Sequence, residues 1–388
     1  MDRKDTNKKR IVLVYEFLSE QGGLERELIN HANFLKDEGY DVKVLTCHLD
    51  KKILDLLPFG GIKVEEISII KTPVEWVNLA LCFLGINNLR KHNPDLFISY
   101  SAPCNFLIRN KKNKKVNYVN HYPHFLYEED KIEWAFGTQG IKRKISLFLG
   151  LALGDYLKRL DKRLLQKNKL IFMNSEFTKK RLEKLYKING TVVSYPPLDP
   201  KFKPGHKKLK ENYIFSSSRI IPDKKYEWLI KALSHLKNKM PLYMAGSVEP
   251  SYKESLLALA SKCNVEIKFL GRLKTDEIIT NYTNAKVFAF PAPLEDFGLV
   301  PAESLACGTP VVVWGDGAGP TEQIIDGVNG YWAKPYDIID FAAKIDKCID
   351  SKLKEKNRKK ILESAKKFSY PEIKKEFVKE IDKILSKP

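Results

Sequence analysis

Two glutamates, Glu295 and Glu303, frame the run Pro291-Ala292-Pro293-Leu294-Glu295-Asp296-Phe297-Gly298-Leu299-Val300-Pro301-Ala302-Glu303, which continues as Ser304-Leu305-Ala306-Cys307-Gly308-Thr309-Pro310-Val311-Val312. The stretch reads as strand, glycine turn, helix, strand. Pro301 is expected to start the helix and Gly308 to end it, which places Glu303 in the first turn and Glu295 on the preceding loop. Amides near Phe297, Gly298, Leu299 and Val300, at the positive end of a helix, can receive a diphosphate or sugar hydroxyls without a metal. Glu303 offers two acceptor oxygens to the paired hydroxyls of a ribose. Glu295 could orient an anomeric carbon and stabilise an oxocarbenium-like transition state. Taken alone, the pair reads first as a solvated loop residue and a helix-dipole partner.

Other polar clusters follow strand-like segments. Ser218-Arg219-Ile220-Ile221-Pro222-Asp223-Lys224 lies between a strand and a helix, so Arg219 and Lys224 are expected at the end of a sheet where a departing diphosphate needs positive charge. The competing reading is two surface cations in a lysine-rich chain. Phe269-Leu270-Gly271-Arg272 ends a strand in a glycine turn. Gly22-Gly23 follows the opening strand, where the lack of a Cβ lets a backbone approach a sugar or phosphate. Asn120-His121-Tyr122-Pro123-His124 follows another strand and offers His121 as a hydrogen-bonding group toward a transferred sugar or an acceptor oxygen, with a structural histidine as the alternative. Asn174-Ser175-Glu176-Phe177-Thr178 reads as a strand end and helix cap, a scaffold feature. No Asp-x-Asp pair occurs, so no metal site and no cofactor are expected; a helix end with Arg219 and Lys224 can do the same electrostatic task.

These groups need a framework. Ile11 to Tyr15, the glycine pair, and Leu24, Leu28, Ala32 and Leu35 at helical spacing give strand, turn and helix; Gly39 closes the helix and Val42 to Thr46 is the next strand. Leu96 to Tyr100, Val116 to Asn120 and Leu170 to Asn174 read as further buried strands of a parallel sheet. Tyr195-Pro196-Pro197-Leu198-Asp199-Pro200 and the basic run to Lys210 differ from both flanks and mark a domain boundary. The alternation then restarts with strands at Tyr213 to Ser217, Leu242 to Ala245, Ile267 to Leu270, Val287 to Phe290 and Pro310 to Trp314. The expected architecture is α/β: a Rossmann-like domain over 1–197, a second over 198–367, and a helix over 368–388 packing back across the cleft between them.

The chain has 388 residues with 67 lysines and arginines against 48 acidic residues, a formal charge of +19. That balance suits an anionic partner: nucleic acid, a membrane surface or a phosphorylated small molecule. The sequence carries no signature of the common nucleic-acid modules, so no nucleic-acid partner is expected. Six scattered cysteines without a Cys-x-x-Cys pair, and no signal sequence, fit a cytoplasmic protein. No apolar run is long enough to span a bilayer. Ile145 to Leu153, flanked by Lys142, Arg143, Lys144 and by Lys158, Arg159, Lys162, Arg163, reads either as a core helix or as an interfacial helix meeting anionic lipid.

The Glu295 to Val312 stretch resembles the signature of the family 4 retaining glycosyltransferases, whose fold is GT-B. Glu295 and Glu303 match the two glutamates of its E-x7-E motif. The resemblance extends over most of the chain. It implies that Arg219 and Lys224 bind the donor diphosphate, although Lys225 replaces a glycine frequent at that place. It implies that Leu270 and Gly271 lie in the base-binding turn, that Gly22 and Gly23 lie over the donor, and that His121 lies near the reaction centre. The implied reaction is transfer with retention from a nucleotide-sugar donor bound to the second domain, the leaving phosphate taking the acceptor proton. Likeness to mannosyltransferases points to GDP-mannose and to a glycan or polyprenyl-phosphate-linked saccharide acceptor, with peripheral association at an anionic cytoplasmic membrane face. A UDP-sugar donor, a GT-B epimerase or hydrolase, and a basic scaffold without catalysis are the alternatives.

Overall fold

The computed structural model describes residues 8–19, 22–55, 57–121, 123–127, 141–207, 209 and 212–386. They form two compact units. The first comprises Met1–Asn174, Thr178–Tyr195 and Lys374–Pro388; the second comprises Ser175–Phe177 and Pro196–Ile373.

The first unit is built on β1 (Arg10–Leu18), β2 (Asp41–Leu49), β3 (Lys63–Glu66), β4 (Leu96–Tyr100), β5 (Lys114–Val119), β6 (Leu170–Met173) and β7 (Thr191–Val193), in the order β3-β2-β1-β4-β5-β6-β7. Every pairing is parallel. The second unit holds β8 (Ile214–Ser217), β9 (Leu242–Ala245), β10 (Ile267–Gly271), β11 (Val287–Ala289), β12 (Val311–Trp314) and β13 (Gly330–Ala333), in the order β10-β9-β8-β11-β12-β13, also parallel throughout. Central strands such as Leu-Phe-Ile-Ser-Tyr in β4 and Val-Val-Val-Trp in β12 are buried along their whole length, because helices cover both faces of a parallel sheet. Each large apolar side chain buried in this way contributes roughly 1.5–3 kcal/mol. Trp314, nearly fully buried, also donates its indole N–H to the Pro291 carbonyl at 2.7 Å. Core packing is thereby tied to the start of the Glu295 loop.

Both sheets reverse their order once, between β1 and β4 and between β8 and β11. Loops leaving neighbouring strands diverge at such a switch point and open a crevice at the carboxyl ends.

Three strands escape the sequence reading: β3, β7 and β13. The helix after Glu295 begins at Leu299 rather than Pro301, because Gly298, at φ 72°, turns the chain into it early. Glu303 consequently sits in the second turn and not the first. The last helix, Tyr370–Ser386, packs into the first unit through Phe377, whose ring stacks on His31 at 4.1 Å between centroids. Ile145 to Leu153 falls within one long helix, Ile141–Gln166; the side chains of 141–151 lie outside the described residues, and Leu153 and Tyr156 beyond them are exposed. No helix among the described residues is long and apolar enough to cross a membrane.

Candidate active site

In the second unit the carboxyl ends of β8 and β11 carry the charged groups. Past β8 the chain must squeeze beside β9: Ile220 N–H donates to the Ser247 carbonyl at 2.8 Å, and a Cβ on Gly246 would lie 1.8 Å from the Ser218 carbonyl. Gly246, at φ 141°, is therefore required for the Arg219 loop to lie where it does. The Arg219 guanidinium is exposed and forms no ion pair among the described residues. A 3-10 turn, Pro222–Lys224, follows, and Lys225 takes the left-handed conformation at φ 54°. That backbone explains the glycine expected there. It also separates the two lysines: the Lys225 ammonium lies 5.7 Å from the Trp228 ring centroid, while Lys224 pairs with Glu295. The Lys224–Glu295 contact is a direct charge-assisted hydrogen bond between the loops after β8 and β11, and both side chains keep partial exposure, 17% and 25%.

Several residues not singled out by motif hold the Glu295 loop. The Glu295 carbonyl accepts from Gly319 N–H at 2.9 Å, and a Cβ on Gly319 would lie 2.2 Å from the Asp296 carbonyl oxygen. Asp316 accepts from the Leu294 amide at 3.0 Å. Gln323, fully buried, donates its amide N–H groups to the carbonyls of Phe297 at 2.7 Å and Gly298 at 2.9 Å. Because carbonyl and N–H point opposite ways across a trans peptide, the amides of Gly298 and Leu299 face away from Gln323. Val300 continues the helix start. The signal for this support is the glycine-rich run Gly315-Asp316-Gly317-Ala318-Gly319-Pro320 after β12.

Glu303 lies beneath these loops, 5% exposed, accepting the Tyr282 hydroxyl at 2.9 Å; that hydroxyl in turn meets Ser217 Oγ at 2.7 Å, at the end of β8. Burial and the Glu303 charge push the Tyr282 phenol well above its ordinary pKa, so it remains a donor. Leu270 is half-buried and Gly271 exposed, at φ 69°, where a register shift ends the edge strand β10. The Gly271 carbonyl accepts from Gly246 N–H at 2.8 Å, which lines up Gly271, Gly246 and the Arg219 loop side by side. Arg219, Lys224, Glu295, Phe297 to Val300, Glu303, Leu270 and Gly271 all belong to the second unit.

Gly22, Gly23 and His121 belong to the first unit. Gly22 is extended, so backbone conformation does not demand glycine there; a Cβ would instead lie 2.4 Å from the Glu25 carboxylate, which accepts Gly22 N–H at 2.9 Å and the Tyr15 hydroxyl at 2.7 Å. A Cβ on Gly23 would meet nothing within 4 Å. His121 is exposed just past β5, while Tyr122 and the His124 side chain lie outside the described residues. Its neighbour Asn120 donates to the carboxylate of Glu27, on the helix Gly23–Asp37, at 2.9 Å. Burial drives Glu27 up to about 8, against the lowering effect of the hydrogen bond from Asn120. Among the described residues, no group of three or more His, Cys, Asp or Glu side chains is placed to hold a metal ion.

Known proteins share this two-unit architecture. Residues 21–202 fit the family model described as Glycosyltransferase Family 4, and residues 199–368 fit that described as Glycosyl transferases group 1. The Escherichia coli serotype-specific mannosyltransferase WbdA is 30% identical over 148 residues, covering 36% of this chain and 18% of WbdA. The GDP-mannose-dependent monoacylated alpha-(1-6)-phosphatidylinositol monomannoside mannosyltransferase of Corynebacterium glutamicum is 34% identical over 117 residues, covering 28% of this chain and 30% of that enzyme. Less than a third of each of these two relatives is matched. Among solved structures, a glycosyltransferase from Rickettsia africae superimposes with TM-score 0.73 at 20% identity over 98% of this chain and 100% of its own. Anabaena HepE in complex with UDP does so with TM-score 0.73 at 18% identity over 97% and 100%. The two parallel-sheet units are those of the GT-B fold. With the two family models together running from residue 21 to residue 368, the chain belongs to the family 4 glycosyltransferases.

Proposed function

We propose that the chain is a retaining, metal-independent hexosyltransferase whose second unit binds the nucleotide-sugar donor. One observation carries this reading: Lys224 and Glu295 meet across the switch point of the second sheet, with the Arg219 guanidinium exposed on the same loop. An ion pair with both partners partly exposed can exchange partners, whereas a structural pair gains from being sealed. On arrival of the donor, Lys224 passes from Glu295 to the diphosphate, joined by Arg219 and the amides of Gly298 and Leu299. Glu295 is thereby released toward the hydroxyls of the sugar. The bond from the anomeric carbon to the diphosphate breaks while a bond to the acceptor hydroxyl forms on the same face. The leaving phosphate takes the acceptor proton. Negative charge grows on the diphosphate as this happens, and fixed donors aimed at growing charge stabilise a transition state more than a ground state.

Likeness to mannosyltransferases favours GDP-mannose as donor. A UDP-sugar is the second reading, because the structurally similar HepE was solved with UDP. Neither specifies the nucleobase through a side chain, since main-chain groups at Leu270 and Gly271 would read it. A glycan or polyprenyl-phosphate-linked saccharide is the proposed acceptor. Exposed Leu153 and Tyr156, on the same helix as Lys158, Arg159, Lys162 and Arg163, support docking at the anionic cytoplasmic face of a membrane.

A thermal-shift screen against nucleotide sugars tests the donor, since a ligand at about 100 times its dissociation constant stabilises by ~2.7 kcal/mol. The transfer product of the responding donor should keep the donor's anomeric configuration, and a chelator should leave the rate unchanged. An inverted product or chelator-sensitive transfer would overturn the mechanism.

A further inference from the structure

The helix that follows Gly22-Gly23 carries acidic and basic groups on its buried side. Glu27 is 4% exposed and His31 is fully buried, where the amphipathic pattern of Leu28, Ala32 and Leu35 calls for apolar residues. Among the described residues, no cation answers Glu27. The groups acting on it are Asn120, past β5, which donates to its carboxylate at 2.9 Å, the Tyr118 hydroxyl on β5, and the nearby Glu25 on its own helix. Tyr118 gives its single proton to the Ser194 carbonyl at 2.8 Å. From β4, Tyr100 faces the same region and bonds His31 Nδ1 at 2.8 Å; Phe377 closes the other side of His31. From β1, Tyr15 engages Glu25 rather than Glu27. Asn120 has a second unusual feature: its buried Oδ1 has no hydrogen-bond partner. One amide thus hangs on one carboxylate, and the next residue is His121.

We propose that Glu27 is a proton-linked positioning residue, whose gain or loss of a proton changes its hold on Asn120 and so the setting of His121 at the end of β5. When ionised, Glu27 accepts a charge-assisted hydrogen bond from Asn120 Nδ2, which is why that bond lowers its proton affinity. When neutral, it accepts the same N–H more weakly, and Asn120, whose buried Oδ1 has no partner, is freer to turn. Burial holds the proton on Glu27 up to about pH 8. The tight setting of His121 therefore belongs to solution above that point and is relaxed in neutral and mildly acidic solution. The effect on sugar transfer rests on the glycosyltransferase reading; the effect on His121 does not.

The test uses the full chain without donor, labelled at histidine, with the His121 imidazole assigned from the resonance lost in His121→Gln. Beyond its own titration, the His121 signal should show a second step near pH 8. In Glu27→Gln that step disappears, because the amide cannot ionise. In Asn120→Ala it also disappears, while the fall in stability toward pH 8 that Glu27 imposes persists. A wild-type signal with no second step, or a step that survives in either variant, overturns the proposal. Should Glu27→Gln not fold, Asn120→Ala decides alone. If the step is present but no nucleotide sugar is turned over at any pH, the functional reading fails and the positioning role stands.

Discussion

The carboxyl ends of the two sheets handle their glutamates in opposite ways. In the second unit Glu295 is partly exposed and held by a lysine; in the first, Glu27 is buried and held by neutral groups alone. A paired charge at the surface can change partners when a stronger anion arrives, at small cost. A buried carboxylate without a counter-charge cannot ionise cheaply, and it answers to pH instead of to ligand. As proposed, two sheets of the same parallel, once-reversed kind supply an exchangeable anion site in one unit and a proton-sensitive support in the other.

The largest expected effect breaks the second unit. Glu295→Ala, or Arg219→Ala, should lower kcat for transfer on the order of 10²–10³-fold, the scale found when one preorganised transition-state contact is removed. Steady-state rates with the donor identified by thermal shift check this. Losses of only a few-fold would return both residues to the role of surface charges.

The next effect separates the units by pH. Glu27 is raised from 4.5 to about 8, so the native state keeps a proton that the unfolded chain releases; its stabilising contribution is complete below 4.5 and lost as pH climbs through 8. His31 is lowered from 6.5 to about 3 by burial, so its contribution is present above 6.5 and lost as pH falls toward 3. A tenfold change in proton affinity is worth about 1.4 kcal/mol, so each group contributes a few kcal/mol at most. Urea unfolding across pH should show the first unit weakening between pH 4.5 and about pH 8, and Glu27→Gln should flatten that limb. A slope between pH 4.5 and about pH 8 unchanged in Glu27→Gln would contradict the account.

Two glycines then sharpen the contrast. Gly246→Ala drives a methyl into the Ser218 carbonyl at a strained φ and should cost roughly 1–3 kcal/mol while weakening nucleotide binding through the Arg219 loop. Gly23→Ala meets open space and should change stability by no more than ~0.5 kcal/mol. Any loss of transfer in that variant would report a ligand contact rather than a folding defect. The smallest effect is expected of Lys225→Gly: stability within ~0.5 kcal/mol of wild type and transfer undiminished, since its ammonium faces Trp228. A strong loss there would mean that the wrong lysine has been given the phosphate.

The sequence was a good guide where local chemistry decides the outcome. Val-Val-Val-Trp could hardly be anything but a buried strand, and the neighbours of Glu295 and Glu303 place the one on a loop and the other on the helix after it, although not in the right turn of that helix. It was a poor guide where tertiary contact decides. Lys-Val-Glu-Glu of β3 looks like loop because a short strand at the sheet edge needs few apolar residues, and β13 hides behind the turn residues Asp326 to Asn329. Glu27 and His31 have residue types that read as solvated, and nothing nearby in the chain announces Tyr118, Asn120 or Tyr100 as their partners. Gln323 escaped notice for the same reason: its use lies in two carbonyls far away in the chain. The pairing of Lys224 with Glu295 required the switch point itself, a property of strand order that no single segment carries.

Equilibrium binding of a nucleoside diphosphate, GDP and UDP in turn, to the wild type and to the double variant Arg219→Ala/Lys224→Ala tests the central claim most directly. Loss of two charge-assisted contacts should weaken the preferred nucleotide by about a hundredfold or more, close to 2.7 kcal/mol. Equal affinity in the two proteins would contradict the account, because the diphosphate would then be held by something other than the cations at the carboxyl end of β8.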